Sequence, residues 1–333
     1  MNNPRLLAPR GLLAIILTLL AASLTACNRN GRDADLPPVL VDPATLRYDL
    51  WAARHNAGVA ELRQVWANAV VRLRWTDADG RQRSEQGEGR LQIQQPDRVA
   101  LNIGKVGETF VWIGCDPQRY WWIDLTGDQR VAFAGRHGLY QQSRARSYGV
   151  VVPPLELTGL LGIRELPQSG GAIQASNDGR LVGLTTSIDR RGTRQRTWLD
   201  AASGRCVQVE LFNPRGEPDI VASLEDYDTV ALTGRGETAQ MAKRVRIAHA
   251  ASGSLITLDL SDLQDGVRRM SPDAFSLPAL LNQMNVGLLY DLDLPARVPN
   301  SGVDSGAGAS GAGASGGASV GGAADGRSVG GAP

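Results

Sequence analysis

Ala67-Asn68-Ala69-Val70-Val71-Arg72-Leu73-Arg74-Trp75-Thr76, then Asp77-Ala78-Asp79-Gly80, then Gly87-Glu88-Gly89-Arg90-Leu91-Gln92-Ile93-Gln94 reads as strand, turn, strand. In the first run the odd positions are apolar and, Val70 apart, the even ones polar. In the second, Gly87, Gly89, Leu91 and Ile93 oppose Glu88, Arg90, Gln92 and Gln94. A period of two gives each strand one dry and one wet face, the signature of an antiparallel sheet covered on one side. Asp-Gly between such runs is hairpin chemistry. Working outward, Pro96-Asp97 breaks the pattern and Val99, Leu101 and Ile103 resume it. Phe110 to Ile113 is apolar on both faces, and Tyr120–Leu125 and Gln129–Phe133 complete six strands at hairpin spacing. The prediction is an antiparallel meander.

Upstream, Leu46, Leu50, Trp51, Leu62, Val65 and Trp66 fall at helical intervals, predicting two short helices between Ala44 and Ala67, broken near Gly58. Downstream, Leu155, Leu157, Leu160, Leu161 and Ile163 predict a short apolar helix within Tyr148 to Gly171. Strand rhythm returns at Leu181–Ser187, Thr193–Leu199, Cys206–Phe212 (Val207, Val209 and Leu211 inward), Ile220–Tyr227, Lys243–Ala248 and Leu255–Leu260, about twelve strands in all. Ser271–Pro278, with Phe275 able to insert, and the helix-like Ala279–Leu289 close the body. From residue 299 to 333 the chain is mostly Gly, Ala, Ser and Val, too poor in apolar surface to offset its ordering entropy, and is expected to be disordered.

Lysine plus arginine (35) balance aspartate plus glutamate (34), which gives no global field for nucleic acid. His55, His137 and His249 lack a second ligand at helical or strand spacing, which argues against a metal. There is no Gly-x-Ser-x-Gly elbow and no Walker loop before Gly104-Lys105, and Gly306 to Gly311 matches a dinucleotide fingerprint without a preceding strand, as composition alone would give. Asp77-Ala78-Asp79-Gly80 with Glu88 misplaces the glycine of a calcium loop. No catalysis and no cofactor are expected. Cys115 and Cys206 can close a disulfide or remain two small buried thiols.

The amino terminus sets the compartment. A basic head with two arginines precedes the apolar run Gly11 to Ala26, which ends in Leu24-Thr25-Ala26-Cys27. This resembles the lipobox of a bacterial lipoprotein signal, which implies removal of residues 1–26, acylation of Cys27 and anchorage to a membrane. The run is short for the roughly 20 residues that span a bilayer. Residues 27–43 then form a polar, proline-containing tether. Asn28, where aspartate retains some lipoproteins in the inner membrane, points to the periplasmic face of the outer membrane.

Within the body, the strand Gly89–Gln94 running into Gln95-Pro96-Asp97-Arg98, Trp121-Trp122-Ile123-Asp124, Trp198-Leu199-Asp200 leading through Ser203-Gly204 to Val207 and Leu211, and the closing Pro272-Asp273-Ala274-Phe275-Ser276-Leu277-Pro278 resemble the LolA/LolB superfamily of lipoprotein-sorting proteins. The resemblance covers roughly Leu62 to Pro278. It implies one domain over residues 44–298 that is mainly β (α+β): an antiparallel half-open β-barrel of about 11 strands with helices lidding a hydrophobic cavity. By that resemblance a membrane-anchored monomer takes the acyl chains of a lipoprotein or lipid. The candidate lining is the dry face, Val71, Leu73, Trp75, Leu91, Ile93, Val99, Leu101, Ile103, Val111 and Ile113, and the candidate lid is Leu157, Leu160 and Leu161. Taken residue by residue, the same set suits a filled core, which would leave an anchored interaction module. The hollow follows from the resemblance and from there being only four phenylalanines to fill it.

Overall fold

Alternation over residues 64–136 builds six antiparallel strands in the computed structural model: β1 (Gln64–Thr76), β2 (Gln82–Gln94), β3 (Arg98–Lys105), β4 (Glu108–Cys115), β5 (Arg119–Asp124) and β6 (Val131–Arg136). The second half adds β7 (Ala172–Ala175), β8 (Leu181–Ser187), β9 (Arg194–Asp200), β10 (Cys206–Phe212), β11 (Pro218–Val230), β12 (Ala239–His249), β13 (Ser254–Asp265) and the short β14 (Leu288–Asp291). The structure describes residues 40–294 except 77–78, 106, 146–151, 189–192, 233–237 and 267–268. The lipobox with Cys27, most of the tether, Val150-Val151 and the tail from 299 lie outside the described residues.

All fourteen strands form one sheet in the order β14-β6-β5-β4-β3-β2-β1-β13-β12-β11-β10-β9-β8-β7. The expected count of about eleven is therefore exceeded. The sheet stays open, since β14 and β7 are its two ends. Among the described residues every strand pairing is antiparallel but one: β14 runs parallel to β6, with Tyr290 opposite Phe133. The halves meet where β1 pairs with β2 on one side and β13 on the other.

A flat sheet of this size would be about 60 Å wide at ~4.8 Å per strand. Instead Tyr120 on β5 and Val182, Leu184 and Leu199 on β8 and β9 belong to one hydrophobic cluster, so the sheet curls around a shared concave core. Glycine permits the curl on β2. A Cβ on Gly89 would overlap the carbonyl oxygen of Asn102, and one on Gly87 would overlap Ile103.

The amino-terminal helical reading needs correction. A 3-10 turn (Pro43–Thr45), capped by Asp42 accepting from the Ala44 amide at 2.9 Å, precedes a single helix α1 (Tyr48–Val59) that runs through Gly58. Leu62 lies in a turn, while Val65 and Trp66 belong to β1, where they pair with both Ile93 and Gln92 on β2 and Asp265 and Gln264 on β13. Two hydrogen-bonded ladders outweigh a helical spacing of apolar residues. Val207 is also only half-buried, because the β9–β10 register shifts between Cys206 and Gln208 and turns Cys206 inward. Among the described residues the further α-helices are α2 (Leu157–Leu160) and α3 (Leu277–Gln283). Among the described residues no helix is long and apolar enough to cross a membrane.

Candidate concave acyl-binding face

Antiparallel register turns the dry positions of successive strands into rows running across the concave face. The first row is Val65, Ile93, Val99, Cys115 and Tyr120. The second is Ala67, Leu91, Leu101, Ile113, Trp122, Phe133 and Tyr290. The third is Ala69, Gly89, Ile103 and Val111.

The first row and the start of the second are sealed. Val65, Leu91, Ile93, Val99, Cys115 and Tyr120 are each 0 % exposed, as is Leu160 of the candidate lid. In this conformation that half is packed rather than hollow. Farther along, Ile103, Val111, Ile113, Trp122 and Phe133 are half-buried, and Tyr290 is 41 % exposed at the sheet edge. The apolar row therefore continues from the buried core to the partly exposed edge of the sheet. Its rim is a stack of rings, with Trp122 and Phe133 centroids 4.5 Å apart at 19° and Phe133 and Tyr290 5.2 Å apart at 18°.

The candidate lid segment is tied down by polar contacts. The Arg164 guanidinium donates to Glu156 Oε2 at 2.8 Å, to the Leu155 carbonyl at 2.7 Å and to Thr158 Oγ1 at 3.2 Å, bracing α2 from below. Gln95 Nε2 donates to the carbonyls of Leu62 and Ile163. On α1, His55 Nε2 donates to the Arg164 carbonyl at 2.9 Å, and the Asn56 amide exchanges two hydrogen bonds with the Leu166 backbone. Gly162 turns the chain out of α2 at φ +68°, where a Cβ would crowd Leu224 and Cys206.

Of the residues expected to line or lid this face, Val71, Leu91, Ile93, Val99, Leu101, Leu157, Leu160 and Leu161 are buried in one cluster, with Ile103 and Ile113 packed against it. Leu73, Trp75 and Val111 are half-buried and fall outside that cluster. Cys115 and Cys206 are separate buried thiols on β4 and β10, not a disulfide. Their sulfurs donate weakly to the Asp97 and Gln208 carbonyls, and burial pushes each thiol up to about 12. Among the described residues no group of three or more His, Cys, Asp or Glu side chains is placed to hold a metal.

Sequence reasoning missed the ring stack. Alternation could have placed Trp122 and Phe133 on one face, but Tyr290 joins them only through the parallel pairing of β14.

No family model matches the chain, and no curated protein matches it. Among solved structures the chain is similar to a LolA superfamily protein from Nitrosomonas europaea, at 16% identity over 70% of this chain and 99% of that one, with a TM-score of 0.45. It is also similar to a DUF1329 family protein from Desulfovibrio piger, at 13% identity over 72% and 100%, TM-score 0.46. A third is a domain from Vibrio parahaemolyticus described as outer membrane lipoprotein-sorting, at 13% identity over 69% and 97%, TM-score 0.43. The first of these carries the name of the superfamily that the sequence motifs resemble.

Proposed function

We propose that this chain is a lipid-anchored envelope protein, held by Cys27 at the periplasmic face of the outer membrane, that receives the acyl chains of a lipoprotein or lipid on its concave face. The observation that carries this reading is the continuous row from sealed Leu91 through half-buried Ile113, Trp122 and Phe133 to exposed Tyr290. Such a trough gives an alkyl chain an apolar wall from the edge inward, and loosening α2 would lengthen it. Each methylene taken from water contributes ~0.8 kcal/mol. No catalytic step is assigned to the protein.

The test is titration of the chain lacking its own acyl anchor (Cys27→Ser) with fluorescent fatty acids of increasing length. Binding is expected to saturate and to tighten by up to about fourfold per added methylene until the trough is filled. Ile113→Lys, at a half-buried position, is expected to weaken it at least about tenfold. Absence of saturable binding by the parent chain would overturn the reading. It would favour the second one, an anchored interaction module with a closed core, to which the sealed first row already points.

A further inference from the structure

The opposite, convex face of β1–β4 carries polar rows: Gln64, Gln94 and Arg98; then Trp66, Gln92 and Ala100; then Asn68, Arg90, Asn102 and Trp112. The carboxyl-terminal segment crosses this face. Ala274 and Phe275 pack on Ala100, and Leu277 and Leu280 pack on Trp121 and Ile123. Along its border it leaves two clefts that share Ser271. One of about 270 Å³ is walled by Trp66, Arg90, Gln92, Trp112 and Asp273, and one of about 200 Å³ by Gln64, Gln94 and Arg98.

The polar groups here are unfinished. Gln92 is 8 % exposed and lines the larger cleft, and its amide makes no hydrogen bond among the described residues. Trp112 Nε1–H is buried with no acceptor. Arg90 and Arg98 have no carboxylate partner among the described residues. Trp66, by contrast, is capped on its ring by the Arg269 guanidinium, 4.7 Å from the centroid, which pairs with Asp262 at 3.6 Å. Donors and acceptors left open at a cleft are groups a ligand completes.

The geometry points to a saccharide-binding site, with one sugar unit in the larger cleft and the chain continuing past Ser271 toward Gln94 and Arg98. An alkyl chain would leave three amides unmet. A phosphate or carboxylate needs donors alone, and Asp273 would repel it. A hydroxyl both donates and accepts, which is what planar amides, guanidinium and carboxylate offer side by side. This site lies across the sheet from the acyl-binding face and does not rest on that reading.

The test is saturation-transfer NMR with maltotriose, an N-acetylglucosamine trimer and mannotriose, all uncharged, at millimolar concentration, on the Cys27→Ser chain in sugar-free buffer. At least one is expected to bind saturably. Gln92→Leu keeps shape and burial while removing the amide; it is expected to weaken binding at least about tenfold, with an unchanged or raised melting temperature and unchanged fatty-acid titration. Should Gln92→Leu not fold, exposed Arg90→Ala is expected to weaken binding likewise. Binding by none of the three sugars, or folded variants that bind as the parent does, overturns the proposal.

Discussion

His55 shows how one side chain ties the segment after α2 to the amino-terminal helix. It is 4 % exposed and donates from Nε2 to the Arg164 carbonyl, so burial holds its pKa below the ordinary 6.5 despite the hydrogen bond and the charge of Glu165. The folded state resists a proton that the unfolded chain accepts. The contribution is complete above about pH 6.5 and lost as pH falls below it, by up to about 1.4 kcal/mol per pH unit. Denaturant unfolding between pH 7.5 and 5.5 should therefore show stability falling toward acid, and His55→Gln, which can still donate to Arg164, should flatten that slope while leaving pH 7.5 nearly unchanged. An equal slope in the variant would assign the pH dependence elsewhere. The helical pattern of Leu46, Leu50 and Trp51 pointed to a helix here, but neither the burial of His55 nor its partner was legible, because Arg164 is 109 residues away in sequence.

The elements divide by what encodes them. β1 to β3 could be read directly from alternation, because each keeps one face on the core and the other toward water or the convex cover. β4 is apolar on both faces for a physical reason now visible: Ile113 faces the concave side, while Trp112 meets Phe275 and Leu280 on the other. β14 has four residues and a parallel partner 157 positions back, so nothing local marks it. The aromatic rim of the candidate site was therefore only partly foreseeable. Curvature on β2 has a local cause that can be tested. Gly89→Ala should place a methyl against the Asn102 carbonyl, a backbone atom that cannot yield without parting β2 from β3, and should destabilise by about 3 kcal/mol. Gly58→Ala lies within α1 with nothing inside 4 Å of the new Cβ and should stabilise by about 1 kcal/mol. Denaturant melts of both variants check the pair, and similar effects would remove steric closeness as the reason for the glycine in β2.

At the scale of the molecule, the two ends of the described chain close back on its middle. β1 joins β13, β14 docks on β6, and α3 covers Trp121 and Ile123 on the convex face of the first six strands. The first half of the sheet thus depends on residues that come last in sequence, and the concave cluster draws side chains from Ala52 to Leu292. Nothing in this arrangement lets β1–β6 keep a dry core once the final segment is gone, so the body should unfold as one cooperative unit. Leu280, 1 % exposed against Trp121 and Ile123, is the lever for a test. Leu280→Ala should cost about 3 kcal/mol from lost transfer energy and the cavity left behind. For a domain of this size that lowers the melting temperature by roughly 6 to 12 °C. Near-ultraviolet dichroism, sensitive to the tryptophans, and far-ultraviolet dichroism, sensitive to the sheet, should shift together in a single transition. A second, earlier transition confined to the near-ultraviolet signal would instead show the carboxyl-terminal segment melting by itself, and would detach the convex clefts from the stability of the sheet beneath them.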